Sequence, residues 1–249
     1  MSLLEVQSAS KRFGSLVAVR QVSLSVQPGE MRAIIGPNGA GKTTFFNLIT
    51  GFLSPTEGEI WFDGQDVTRL SAQRRVKLGM GRTFQVTEIF PELTVRENLR
   101  IAVEIGRGLA LRPWLGRGES FVVRQAMDEV LIQAGLASKA DRLAGELAHG
   151  DQRATEIAMA LALRPRLLLL DEPTAGMAEQ ETYDTVALIR RLHRTNRLTV
   201  ILIEHDMRVV FHLADRISVL DRGRLLTEGP PDEIAANAAV QAAYLGEAA

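Results

Sequence analysis

The sequence predicts an α/β fold built around a mostly parallel sheet. Three runs are continuously apolar, as expected for strands buried on both faces of such a sheet: residues 31–35, 167–170 and 198–203. Three amphipathic stretches have the length of crossover helices: residues 42–50, 179–195 and 206–213. Alternating or strand-like segments predict a small antiparallel sheet beside this core: residues 3–7, 22–26 and 58–62.

The middle of the chain predicts a helical subdomain. Between about Thr94 and Leu163 the pattern is amphipathic and shows no convincing strand. The stretch Gly106 to Gly118 interrupts it, and we expect a surface loop there rather than a contact site. Near the end, residues 221–223 (DRG) predict a hairpin turn, and residues 229–233 (GPPDE) open a C-terminal helix.

Composition excludes several classes of function. With 249 residues, 46% of them hydrophobic, the chain can bury a sizeable core as one large domain or two small ones. A net charge of −1 provides no global positive field for nucleic acid, so no nucleic-acid partner is expected. The absence of cysteine excludes disulfides and thiolate metal sites.

The N-terminal sequence MSLLEVQSASKRF lacks the apolar core of a secretory signal, and no stretch reaches the ~18 apolar residues needed to span a bilayer. We therefore expect a chain that is soluble by itself. Any role in a membrane process would require docking onto a partner that spans the membrane.

The segment GPNGAGKTT is a complete phosphate-binding loop, and it directly follows the strand MRAII. Its residues are Gly36, Pro37, Asn38, Gly39, Ala40, Gly41, Lys42, Thr43 and Thr44. Its backbone N–H groups can cradle phosphates, Lys42 adds charge near the β and γ phosphates, and the Thr43 hydroxyl can hold Mg²⁺. Lys42 is one of only four lysines among 29 basic residues. A ligand-free glycine-rich turn is the alternative, but the strand-to-helix context favours a nucleoside triphosphate.

Two carboxylates follow the apolar run 167–170. Asp171 and Glu172 would lie at the carboxyl end of a central strand, where open α/β sheets bind ligands. Asp171 can hold hydrated Mg²⁺, and Glu172 can act as general base toward the attacking water. The alternative is a pair of acids that cap the next segment.

Two further polar residues lie at element ends. His205 follows the run 198–203, and from there it could reach the γ phosphate and orient the water. A lone histidine at a strand end is more often structural, and only its place after the phosphate-binding loop and the carboxylate strand favours the functional role for His205. His193 and His212 are expected to be ordinary residues on helix surfaces. Gln85 follows the strand-like run 81–84 and could ligate Mg²⁺ or water; without the other motifs it would be an ordinary polar residue.

Together these residues resemble the ATP-binding subunit of an ATP-binding-cassette (ABC) transporter over essentially the whole chain. The segment LAHGDQR (147–153) lies where the family has its LSGGQ signature, before a helix expected at 154–163. The free N–H groups and dipole of such a helix start suit a γ phosphate. In the family the signature serves the nucleotide of the opposite subunit, so two ATPs lie between two chains.

The resemblance implies several roles. Phe13 would stack on adenine, Gln85 would be the mobile glutamine, His205 the switch histidine and Glu172 the catalytic base. The signature contacts would come from Ala148, His149, Gly150 and Asp151. Ala148 replaces the family's serine and His149 a glycine, and the lost hydroxyl contact could cost roughly 1 kcal/mol. The loop 175–178 lacks the usual acidic or amide side chain that faces the partner site.

The implied fold is a P-loop NTPase (RecA-like) cassette at 1–229, with an antiparallel β subdomain, a helical subdomain at about 86–163 and a C-terminal helical extension at 230–249. The implied cofactors are ATP and Mg²⁺. The implied partners are membrane permease subunits, a second cassette ATPase (identical or related) and a periplasmic or extracellular solute-binding protein. The implied location is the cytoplasmic face of the inner membrane, as a peripheral subunit.

Four features resemble the ATPase subunits of branched-chain amino-acid importers: LAxGxQR, RTFQ with the segment that follows it, IEHDM and the ending AAYLGEA. Urea importers share much of this pattern, and lipid or lipopolysaccharide extraction ATPases can end in a similar YLGE. A soluble cassette ATPase of DNA repair or translation is the alternative from another class. Such proteins usually carry coiled-coil insertions or tandem cassettes, which this chain lacks.

Overall fold

The computed structural model describes residues 2–83, 89–109 and 116–245. The strands are β1 (Leu4–Phe13), β2 (Leu16–Val26), β3 (Met31–Ile35), β4 (Glu57–Phe62), β5 (Gln65–Asp66), β6 (Met80–Arg82), β7 (Leu167–Asp171), β8 (Thr199–Ile203), β9 (Arg216–Asp221) and β10 (Arg224–Gly229). The helices are α1 (Lys42–Thr50), α2 (Ala72–Lys77), α3 (Val95–Gly106), α4 (Arg117–Ala134), α5 (His149–Ala162), α6 (Glu179–Asn196), α7 (Met207–Leu213), α8 (Pro231–Ala235) and α9 (Ala238–Leu245). The chain divides into a first unit, Met1–Leu78 with Thr199–Ala249, and a second, Gly79–Leu198.

The first unit contains a parallel and an antiparallel sheet region. Strand β3 is buried along its whole length and runs parallel to both β8 and β9, while β10 pairs antiparallel with β9. The four strands β2, β1, β4 and β5 form the predicted antiparallel sheet in that order. The α/β class and the antiparallel subdomain predicted from apolar patterning are therefore confirmed.

Two buried arginines stabilise the first unit. Arg32 on β3 is 2% exposed and forms ion pairs with Glu30 and Glu228. Glu30 directly precedes β3, whereas Glu228 is on β10, so the second pair joins the two strands. Arg75 on α2 is 1% exposed and donates to the carbonyls of Leu48 and Ile49 at the end of α1. The last carbonyls of a helix have no partner within it. Arg75 supplies a donor to Ile49 and a second donor to Leu48, which also accepts from the Gly51 N–H.

In its described residues, the second unit joins a parallel pair of strands, β6 and β7, to the α-helices α3, α4, α5 and α6. Helix α3 begins at a capping box, in which the Thr94 hydroxyl accepts from the Glu97 N–H and the Glu97 carboxylate accepts from the Thr94 N–H. Apolar faces of α3, α4 and α5 pack into one core, which includes Leu99, Leu131 and Ala158. The described part of the predicted helical region contains α3, α4 and α5, with turns and loops between them.

Three predicted boundaries were wrong. Helix α4 begins at Arg117, inside the predicted loop 106–118, and Glu119 accepts from the Gly116 N–H at its start. The single C-terminal helix is two, because the Asn237 side chain accepts from the N–H groups of Ala239 and Val240 and so starts α9. The third boundary, at the start of α5, belongs to the site. Among the described residues, no helix is both long and apolar enough to cross a bilayer.

Candidate functional site

The predicted site residues are divided between the two units. The first unit carries Phe13, the phosphate-binding loop with Thr43, and His205. The second carries Asp171, Glu172 and the segment 148–151. Gln85 lies outside the described residues, and its role stays a prediction.

The phosphate-binding loop has a backbone that only glycine fits at two positions. Gly36 has φ 150°, and a Cβ there would lie 2.0 Å from the carbonyl oxygen of Leu220. Gly41 has φ 94°, and its Cβ would lie 2.4 Å from the carbonyl oxygen of Ala18. Because both obstacles are backbone atoms, neither can rotate away. The glycines of the motif therefore allow the loop to lie close against β2 and β9.

The turn between β9 and β10 forms a hydrogen bond with this loop. The N–H of Gly223 donates to the Ala40 carbonyl over 3.0 Å, and the Gly223 carbonyl accepts from the Arg20 N–H over 2.7 Å. Sequence reasoning identified the hairpin turn but not this contact. No local pattern signals it, since the two segments are far apart in the chain.

Lys42 begins α1 and is only 7% exposed. Its ammonium donates to the carbonyls of Gly36 (2.6 Å) and Pro37 (2.9 Å), so the charge is held over the loop. Thr43, Asn38 and Gly39 are exposed around it. A buried, pre-positioned cation beside a helix N-terminus suits a multiply charged anion.

Phe13 is the last residue of β1, and its side chain is 46% exposed. The Lys11 ammonium lies 5.4 Å from the centroid of its ring, a cation–π distance. An exposed aromatic ring at this place is compatible with stacking on a base, which stays a prediction.

His205 follows β8 after the buried Glu204, and it is exposed. Its backbone N–H donates to the Glu204 carboxylate over 2.9 Å. His193 instead bonds through Nδ1 to the Leu198 carbonyl over 2.7 Å, a contact that joins the end of α6 to the next residues. This contact gives His193 a local structural role on α6.

In the second unit, Asp171 is the last residue of β7 and is 4% exposed. Burial raises the pKa of Asp171, and the charge and hydrogen bond of Arg82 oppose that shift. Arg82 Nη2 lies 3.0 Å from the Asp171 carboxylate. Glu172 follows with φ 45°, a left-handed conformation that is costly for a residue with a Cβ. Asp171 is thus buried beside Arg82, whereas Glu172 is half-buried, and their different roles stay predictions.

The segment 148–151 differs from expectation. Helix α5 begins at His149, not at Ala154, so the residues after Ala148 form its first turn. The Gly150 N–H is not free, because it donates to the Glu181 carboxylate over 3.1 Å. Both oxygens of Asp151 lie 2.6 Å from the Lys139 ammonium. The expectation of free N–H groups is therefore wrong at Gly150.

Sequence reasoning missed two residues around this helix. Glu181 joins Gly150 to Ala178, and its sequence signal is a glutamate three residues after the N-cap residue Ala178. Arg153 joins α5 to the end of β7, and its signal is the i,i+3 spacing from Glu156. Neither spacing indicates the distant partner.

Comparison with known proteins gives two family matches. The model described as ABC transporter matches residues 19–175. The model described as branched-chain amino acid ATP-binding cassette transporter matches residues 224–249. The first match includes the phosphate-binding loop, the segment 148–151 and both carboxylates.

Two curated relatives cover 99% of this chain and 98% of their own length. The high-affinity branched-chain amino acid transport ATP-binding protein BraF of Pseudomonas aeruginosa is 43% identical over 255 residues. The lipopolysaccharide export system ATP-binding protein LptB of Haemophilus influenzae is 33% identical over 247 residues.

Solved structures agree. An ATP-binding cassette of an ABC transporter in its ADP conformation has a TM-score of 0.86 and 31% identity, covering 99% of both chains. A dimeric ATP-binding cassette bound to ADP and phosphate has a TM-score of 0.76 and 28% identity, covering 92% of this chain and 98% of that one.

Proposed function

Because this chain belongs to the ABC transporter family of ATP-binding cassettes, we propose that it hydrolyses ATP to power the import of branched-chain amino acids. The observation that carries the substrate class is the match of residues 224–249 to the branched-chain amino acid family model. The 43% identity to BraF over 99% of the chain supports it.

The alternatives have weaker support. Identity to LptB is 33% against 43% for BraF, which favours amino-acid import over lipopolysaccharide extraction. Urea import shares much of the sequence pattern, and the uptake of labelled urea tests it. A non-transport cassette is disfavoured because this chain covers 98% of the length of both relatives named above, which are ATP-binding proteins of a transport and an export system.

In the proposed reaction, water attacks the γ phosphorus and the bond to the leaving ADP oxygen breaks. The loop 36–44 binds the phosphates, and Lys42 balances their charge. Glu172 accepts the proton of the attacking water, while His205 and Gln85 orient that water. Phe13 stacks on the adenine.

The protein's oxygen donors suit Mg²⁺. Thr43 offers a hydroxyl and Asp171 a carboxylate, with Gln85 as a further donor, and Mg²⁺ in nucleotide sites needs only one or two such ligands besides phosphates and water. When bound, the ion would neutralise charge on the β and γ phosphates. Arg82, the partner of Asp171, holds that carboxylate in one orientation.

The working unit in this proposal is a pair of cassettes. The dimeric cassette bound to ADP and phosphate supports such pairing. In this pair, residues 148–151 of each chain serve the nucleotide of the other. The cassette comprises 1–229, with a helical subdomain at about 86–163 and an extension at 230–249. It docks on permease subunits at the cytoplasmic face of the inner membrane and works with a solute-binding protein outside.

The test has two stages. The tagged protein is isolated from detergent-solubilised membranes of its own cells, and its partners are identified by mass spectrometry. Uptake of labelled leucine and labelled urea is then measured in cells carrying the wild type or Lys42→Ala. Co-purifying permeases with loss of leucine uptake alone are expected. Loss of urea uptake alone would reassign the substrate, and soluble partners alone would overturn the transport role.

A further inference from the structure

Arg153 is a buried arginine whose guanidinium bonds backbone on both sides of Glu172. It lies in the second turn of α5 and is 3% exposed. Nη2 donates to the Asp171 carbonyl over 2.8 Å, and Nε donates to the Pro173 carbonyl over 3.2 Å. Nη1 forms the ion pair with Glu156.

The residue between those two carbonyls needs such support. Glu172 has φ 45°, a conformation that persists only when its surroundings hold it. Its own carbonyl accepts from the Ala175 N–H over 3.2 Å, which closes a turn directly after it. The planar guanidinium carries donors in fixed directions, so it restrains the peptide before Glu172 and the peptide after Pro173.

We propose that Arg153 is a positioning residue that sets the placement of Glu172 for catalysis. This inference rests on the proposed function, in which Glu172 is the general base. Arg153 touches neither nucleotide nor water in this role; it acts through the backbone of Glu172. Because Arg153 is on the helix that begins at His149, it also ties the signature segment to the base within one unit.

The ion pair with Glu156 does not by itself require a planar group with several donors. A lysine could neutralise Glu156, but its single ammonium cannot reproduce three donors spread over a planar group. Arg153→Lys therefore separates charge from positioning. A misplacement of the base by about 1 Å is expected to reduce the rate by roughly 10²-fold.

The experiment measures single-turnover ATP hydrolysis and ATP affinity of the full-length chain. Arg153→Lys is expected to lower the rate roughly 10- to 100-fold with ATP affinity unchanged. In the Glu172→Gln background the same substitution should cause no further loss, because both changes act on one group. The matched control is Arg32→Lys, another buried arginine, which should lower Tm and leave the rate unchanged.

A wild-type rate in Arg153→Lys, or an equal further loss in the Glu172→Gln background, would overturn the positioning role. Should Arg153→Lys fail to fold, Arg153→Met/Glu156→Met removes both charges together and tests the same loss. If the wild type itself hydrolyses no ATP, the proposed function fails, and this inference with it. If the wild type hydrolyses ATP and Arg153→Lys hydrolyses it at the same rate, the positioning role of Arg153 is overturned and the proposed function stands.

Discussion

The carboxylate of Glu181 accepts a hydrogen bond of 3.1 Å from the Gly150 N–H, in the first turn of α5. Its other oxygen accepts from the Ala178 N–H at the start of α6, over 3.2 Å. One side chain thus joins two helix starts. It also places a negative charge at a segment for which we propose phosphate binding, and two predictions follow from this position.

The stability that Glu181 contributes should depend on pH. The N–H groups of Gly150 and Ala178, together with His149, hold the pKa of Glu181 below its ordinary value of 4.5. The stability that this carboxylate contributes is therefore complete above pH 4.5 and is lost as pH falls through the folded-state pKa. Glu181→Gln should lower Tm at pH 7, and its difference from the wild type should shrink below pH 4.5 in calorimetry. Glu179→Gln, in the same helical turn, is the control; equal behaviour of both variants would contradict the assignment.

The charge of Glu181 should also affect the ATP-dependent pairing of two chains. Removal of the Glu181 charge should strengthen ATP-dependent pairing of two chains, because a like charge no longer faces the incoming phosphate. Glu181→Gln keeps the shape and one acceptor. Sedimentation velocity with ATP should show more dimer than for the wild type at equal concentration, whereas Glu179→Gln should match the wild type. Weaker pairing would mean that Glu181 supports the bound form.

Replacement of the proposed base should separate binding from chemistry. Glu172→Gln preserves size and leaves the phosphate-binding loop intact, so ATP should bind normally and trap the closed dimer. Hydrolysis should fall by about 10²- to 10⁴-fold, the usual worth of a general base. Steady-state ATPase assays and gel filtration with ATP measure the two effects. A normal rate would remove Glu172 from this role.

A position can require glycine because a Cβ would clash with backbone atoms, or only because φ is positive. Gly36 and Gly29 separate these two constraints. Gly36→Ala would bring a Cβ to 2.0 Å from the Leu220 carbonyl, whereas Gly29→Ala has a positive φ of 74° but nothing within 4 Å. We expect Gly29→Ala to cost about 1–2 kcal/mol of unfolding free energy, the strain of the left-handed conformation alone. Gly36→Ala should cost clearly more and abolish ATP binding. Equal costs in urea unfolding would show that the loop relaxes around the added methyl group.

Arg75 should be a major contributor to the stability of the first unit. Burial lowers its pKa to about 10, so it remains charged at neutral pH while it donates to four backbone carbonyls. Arg75→Met leaves those carbonyls without their donors, and we expect a loss of at least about 2 kcal/mol in urea unfolding. The exposed neighbour Arg74 provides the control, since Arg74→Met should change stability by no more than about 0.5 kcal/mol.

Much of the fold could be predicted because the signals are local. The predicted runs 31–35 and 42–50 have the same bounds as strand β3 and helix α1. Both could be predicted because the apolar periodicity and the glycine-rich turn lie within one short segment. Asp171 and Glu172 could be placed at the end of a buried strand by the same logic. The hairpin at 221–223 follows from turn chemistry.

The rest depends on partners that are distant in the chain. The predicted start of α5 lies five residues too late. The residue that accepts from the Gly150 N–H is Glu181, 31 positions away. Arg153 reaches the Asp171 carbonyl across 18 positions, and Arg75 reaches Leu48 across 27.

The sequence by itself thus determined the class of fold, the phosphate-binding loop and the carboxylates at the end of β7, because each is encoded in contiguous residues. Only the tertiary structure decided which buried charges hold these segments. A buried charged group must find donors or acceptors wherever the folded chain brings them, and that choice is made by packing rather than by local pattern.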